Sequence, residues 1–155
     1  MITETLTSKI QFIVMSAKNL VETHMEYRDL PVNYACIFAQ NENEYSELTD
    51  AARDIVIKIL KETPTGTLFQ IQPLQTGSGI LHILKIRKPD MTRPEIGDAD
   101  FTIDDYEHLT NTYLKKAGYK LIQKDNFVMV ELYDQKYNVR AYFSNPALDK
   151  QFGLI

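Results

Sequence analysis

The sequence predicts an α+β fold made of two βαβββ units behind an N-terminal amphipathic helix. Three observations carry that expectation. The stretches EYSELTD (Glu44 to Asp50) and DYEHLTN (Asp105 to Asn111) lie sixty-one positions apart, and each reads acid, Tyr, two residues, Leu, Thr, then Asp or Asn. The same order of strand, helix and three strands surrounds both. After each helix, ILKETPTGTLFQI (Ile59 to Ile71) and IQKDNFVMVEL (Ile122 to Leu132) keep a similar pattern. An ordinary α+β domain, whose halves look alike because alternation repeats, is the alternative.

The elements follow in order. Ser8 and Gln11 have capping-box spacing, in which a hydroxyl accepts from the backbone amide three residues on. Ile10, Ile13, Val14, Ala17, Leu20, Val21 and Met25 then recur at three and four, the stripe of a helix over residues 8 to 27. Leu30-Pro31 stops it, because proline disfavours helix in the residue before it. NYACIFAQ (Asn33 to Gln40) is apolar between polar flanks and reads as a buried strand. Tyr45, Leu48 and Ala52 share one face of the next helix. IVIKIL (Ile55 to Leu60), TLFQI (Thr67 to Ile71) and ILHILKI (Ile80 to Ile86) are three strands, the first two joined by the turn TPTG.

RKPDMTRPEIGD (Arg87 to Asp98) carries two prolines and no apolar period, so it reads as a connection. ADFTI (Ala99 to Ile103) opens the second unit. Asp104 to Gly118 is a helix with acids first, lysines last and Gly118 as its stop, an order that suits the helix dipole. YKLIQ (Tyr119 to Gln123), FVMVELY (Phe127 to Tyr133) and NVRAYF (Asn138 to Phe143) complete it. The expected organisation is a helical segment 1–31, units at 32–90 and 99–146, and a tail 147–155 docked by Leu148 and Phe152, all in one compact domain.

Bulk properties exclude several roles. The net charge of -4 argues against a nucleic-acid partner, which needs a basic surface for phosphates. No apolar run spans a bilayer, so no membrane partner is expected. The single cysteine, Cys36, sits among apolar neighbours and reads as a buried, inert thiol in a reducing, cytoplasmic setting. There is no GxSxG or HExxH, and the GSG at Gly77 to Gly79 precedes a strand rather than a helix. No cofactor is expected.

The paired βαβββ order, the two matched helix segments and ELYDQKYNVRAYF (Glu131 to Phe143) resemble the vicinal oxygen chelate superfamily. That superfamily includes glyoxalase I, bleomycin-resistance proteins and extradiol dioxygenases. The resemblance covers residues 32 to 146. It implies a mixed curved sheet, each unit wrapping half of a cup. It also implies a divalent metal held by His, Gln or Glu of the first and last strands of each unit. The matching positions fall near Asn33 or Tyr34, Asp100 or Phe101, His82 to Lys85, and Arg140 and Tyr142. Only His82 and Asp100 are plausible ligands among them, and a catalytic metal usually needs three. Arg140 would repel a cation. The departure points to members that bind small molecules without a metal.

Alternation gives the candidate binding residues. Ile80, His82, Leu84 and Ile86 share one side of a strand, whereas Leu81, Ile83, Lys85 and Arg87 share the other. His82 is thereby a candidate cavity residue or a packed histidine. Lys85, Arg87, Lys88 and Arg93 form a basic run suited to phosphate or carboxylate, or to a solvated strand end. Asn138, Arg140 and Tyr142 share a face that meets either a ligand or solvent. The functional expectation is a small-molecule binding protein, homodimeric, with Arg140, Tyr142, His82 and Lys85 contacting the ligand. The alternatives are a divergent metal-dependent lyase, isomerase or dioxygenase, and an interaction protein that uses its N-terminal helix.

Overall fold

The computed structural model describes residues 2–154. Helix α1 (Thr3–His24) starts five residues before the expected cap. Leu6 extends the apolar stripe backwards, and Leu6, Ile10, Ile13, Val14, Ala17, Leu20 and Val21 are all buried. Packing of that stripe therefore sets the start of the helix, and Gln11 donates to the Gln75 carbonyl instead of closing a capping box. The helix is part of the core. No helix among the described residues is long and apolar enough to cross a membrane.

The first unit comprises β1 (Val32–Phe38), α2 (Glu42–Ala52), β2 (Val56–Thr63), β3 (Gly66–Thr76) and β4 (Gly79–Arg87). The second comprises β5 (Gly97–Phe101), α3 (Tyr106–Tyr113), β6 (Tyr119–Gln123), β7 (Val128–Tyr133) and β8 (Val139–Asn145). A short helix, α4 (Leu148–Gln151), follows. The matched segments form matched helices. Asn41 caps α2 by accepting from the Glu44 amide, and Asp105 caps α3 by accepting from the His108 amide. Leu48 and Leu109, the shared leucines, are both fully buried. Helix α3 ends before Gly118, which instead carries the turn into β6 at φ +94°.

Among the described residues, the eight strands form one mixed sheet in the order β2-β3-β4-β1-β5-β8-β7-β6. Strand β1 runs parallel to β4, β5 runs parallel to β8, and β1 meets β5 antiparallel with Ala35 opposite Ala99. Reading outward from that central pair gives the same strand order in both halves. Gly97 permits the junction: a Cβ there would lie 2.3 Å from the Cys36 carbonyl oxygen and 2.8 Å from Ile13 Cδ1.

The expected cup is not formed. Strands β2 and β6 are the two ends of the strand order and do not pair, so the sheet stays open. Closure requires the edges to pair. Here the halves join along β1 and β5 and leave both outer edges free. Strand β2 is largely exposed and carries Lys58 and Lys61, charges that discourage pairing with another edge.

Ala35, Ile37, Leu84, Ile86, Ala99, Phe101, Ala141 and Phe143 belong to the core that includes the buried stripe of α1 and the buried residues of α2 and α3. These three helices cover one face of the sheet. Strand alternation sends the intervening residues to the other face.

Candidate functional site

Strand register assembles that second face in rows. Lys61, Leu68, Lys85, Cys36, Asp98, Arg140 and Tyr133 are successive cross-strand neighbours from β2 to β7. A second row runs Tyr34, Asp100, Tyr142, Glu131. Residues directly opposite one another in a sheet point to the same side, so this face, which α1, α2 and α3 leave uncovered, gathers much of the chain's buried charge.

Arg140 sits in a closed network. Its Nε donates to Glu95 Oε1, and its Nη1 lies 3.2 Å from Glu131 Oε2. Its guanidinium stacks on the Tyr133 ring, 4.1 Å from the centroid. The Tyr142 hydroxyl donates to Glu131 Oε2 at 2.6 Å and accepts from Arg93 at 3.3 Å. Burial raises the Tyr142 phenol above its ordinary range, with Asp98 and Glu131 adding to the rise, so it stays a neutral donor.

Asp100 accepts from Asn33 Nδ2 and the Ser144 amide, both at 3.1 Å, and from the Ser144 hydroxyl. Burial pushes its carboxyl up to about 6, against the pull of these bonds. Asp98 is buried with Oδ1 unpartnered among the described residues. Its carboxyl is pushed up to about 7 by burial, partly opposed by Lys85, with Asp100 adding to the rise. Beside it, burial raises the Cys36 thiol well above the range in which a thiolate forms.

The same face holds a cavity of about 550 Å³. Tyr34, Leu68 and Lys85 supply its sheet side, with Lys61 and Thr65 of the β2–β3 hairpin beside them. The β6–β7 connection contributes Lys124 and Phe127, and the C-terminal segment contributes Leu148 and Phe152. The half-buried Lys85 donates to Thr65 Oγ1 at 2.6 Å. Burial lowers its pKa, and Arg87 and Lys124 lower it further, whereas Asp98 and Cys36 act the other way. A second cavity of about 500 Å³ lies beneath α1, lined by Phe12, Ile37, Phe38 and Ile96, with Lys9 and Glu44 offering one charge of each sign.

The expected binding residues separate. Lys85 lines the first cavity. Arg140 and Tyr142 share its face but belong to the network described above. His82, three positions from Lys85, alternates onto the side of Leu84 and Ile86. Of the residues lining this cavity only Lys85 was expected to bind; Lys61, Lys124, Phe127 and Phe152 are among those that were not. The signal for two of them lay in the matched segments: ILK in one unit and IQK in the other place Lys61 and Lys124 at the same repeat position.

A metal does not fit here. No group of three His, Cys, Asp or Glu among the described residues has the arrangement of a metal site. Lys85 and Arg140 flank the Cys36–Asp98 pair in the central row. The oxygens of Asp100 already accept from Asn33 and Ser144.

No family model matches the chain. No curated protein matches it in sequence. Among solved structures it is similar to a glyoxalase/bleomycin resistance protein/dioxygenase superfamily member from Vibrio splendidus 12B01. That likeness has a TM-score of 0.50 at 10% identity, over 74% of this chain and 97% of that one. A methylmalonyl-CoA epimerase in complex with methylmalonyl-CoA aligns with a TM-score of 0.45 at 11% identity, over 74% and 93% of the two chains. The methylmalonyl-CoA epimerase from Mycobacterium tuberculosis gives 0.40 at 9% identity, over 80% and 94%. The first of these shows a shared fold, with the paired βαβββ order in common; the cup expected with that order is not formed here.

Proposed function

We propose that this chain is a small-molecule binding protein that holds its ligand, without a metal, in the cavity on the sheet face opposite α1, α2 and α3. The observation that carries the proposal is the half-buried Lys85 in a cavity whose lining joins the apolar Leu68, Phe127, Met129, Leu148 and Phe152 to polar groups that include the Tyr34 phenol. The volume, about 550 Å³, lies within the usual range for small-molecule sites. Leu68, Phe127, Met129 and Phe152 would supply apolar contact, while Lys85 and Tyr34 would orient the ligand. Arg140 and Tyr142 would act indirectly, by holding the sheet beneath it. A reducing, cytoplasmic setting belongs to the same reading and rests on the single buried Cys36.

We also propose a homodimer. The exposed side chains of Ile57 and Ile59 on β2 support an assembly through an apolar side-chain contact rather than through edge pairing. A native mass spectrum of the untreated protein tests both statements. A species near twice 17.9 kDa carrying one small organic mass per chain is the expected result. Leu68→Trp, which fills the cavity, should remove that mass while leaving the circular dichroism spectrum unchanged. Retention of the same mass by this variant would overturn the assignment of the ligand to this cavity. A species at 17.9 kDa alone would overturn the dimer.

A further inference from the structure

We infer that the ligand is an amphipathic organic anion, with a carboxylate, sulfate or phosphate group on an apolar body; this rests on the binding role proposed above. The cavity is lined by three lysines, Lys61, Lys85 and Lys124, against one aspartate, Asp125. Such a surplus of positive charge runs against a chain whose net charge is -4. Among the described residues, none of the three ammonium groups forms a salt bridge.

The arrangement is built rather than scattered. Lys61 and Lys124 occupy matched positions of the two units and reach one cavity from opposite ends of the sheet. Lys85 lies between them in the fold, half-buried, with the Thr65 hydroxyl as its hydrogen-bond acceptor. A partly desolvated cation held near another of like sign is unfavourable until an anion joins it, and the gain is largest where water is excluded. Beside the lysines and the polar Thr63, Gln123, Asn126 and Gln151, the lining has an apolar part, with Leu68 and Leu148 buried and Phe127, Met129 and Phe152 half-buried. An ion without a carbon body would leave that surface unused, and a neutral apolar ligand would leave the lysines unpaired.

A matched pair of fluorescent probes tests this. Anilinonaphthalene sulfonate and phenylnaphthylamine share an aromatic body, and only the first carries an anion. Each is titrated into the unaltered chain and into Lys85→Gln, Lys85→Arg and Lys124→Gln. The sulfonate should bind with one-to-one stoichiometry and more tightly than the neutral amine. Lys85→Gln should weaken the sulfonate by about tenfold or more, as expected for the loss of one charge-assisted hydrogen bond, and leave the amine nearly unchanged. Lys85→Arg, which keeps the charge, should restore most of the affinity and shows that the glutamine result is not a folding defect. Equal affinity for the two probes, or indifference of the sulfonate to Lys85→Gln, would overturn the anion assignment and leave the binding role standing. Failure of both probes to bind would overturn the two together.

Discussion

Lys61 and Lys124 stand at the same repeat position of two different βαβββ units and line one cavity. Their strands are the most distant in the sheet, since β2 and β6 form its opposite ends. Lys61 is near the end of β2, and Lys124 directly follows β6 in the connection to β7. The repeated order of elements thus brings a charge from each half to a common space without edge-to-edge pairing.

The junction between the halves depends on Gly97. A methyl group there would sit 2.3 Å from the Cys36 carbonyl oxygen and 2.8 Å from Ile13 Cδ1. Backbone on one side and a buried core residue on the other leave little room for relaxation. Gly97→Ala should destabilise the protein by about 1–3 kcal/mol, the usual range for overpacking. Urea unfolding measures it, and an unchanged midpoint would mean that β1 and β5 separate easily.

The matched leucines make a symmetric prediction. Leu48 and Leu109 are both fully buried beneath their helices. Each Leu→Ala change should cost about 2–5 kcal/mol, from lost burial and the cavity left behind. If only one of the pair proves costly in equilibrium unfolding, the two helices do not play equivalent structural roles.

Arg140 is a structural residue before it is anything else. It bonds Glu95 and Glu131, whose side chains are 2% and 9% exposed. Arg140→Ala leaves two buried carboxylates without their cation, a loss of about 3–5 kcal/mol by analogy with broken buried pairs. A combined Arg140→Met, Glu95→Gln, Glu131→Gln variant should recover much of that stability. Thermal melts check both, and a fully stable Arg140→Ala protein would contradict the network.

Much of the fold was legible because burial on one face leaves a period in the sequence. YKLIQ marks β6 to the residue, and the stripe from Ile10 to Val21 marks most of α1. The start of α1 was misread because Ser8 and Gln11 satisfy the capping pattern while Leu6 already belongs to the core. The cup was misread for another reason. Alternation reports which face a side chain takes, but closure depends on which distant strands meet at the edges. The same limit applies to the site. Alternation placed Lys85 and Arg140 correctly on their strands, yet it could not show that Arg140 faces Glu95 while Lys85 faces open space. Lys61 and Lys124 were visible as a repeat and invisible as a pair.

Asp98 should make stability depend on pH in a specific direction. Burial pushes its folded-state carboxyl up to about 7, while the unfolded value is about 4. Between these values the folded protein binds more protons than the unfolded chain. Stability therefore falls as pH rises from about 4 to about 7, and stays reduced above that. Asp100, pushed up to about 6, contributes in the same direction. Lys85, Arg87 and Arg93 oppose the shift of Asp98 without cancelling it. Asp98→Asn removes the ionisation and keeps the shape. The variant should equal the parent near pH 4 and exceed it near pH 8, by on the order of 2–4 kcal/mol. Urea unfolding of both proteins across that range reads the difference. A variant that differs from the parent by the same amount at every pH would show that the Asp98 carboxyl has the same pKa in the folded protein as in the unfolded chain.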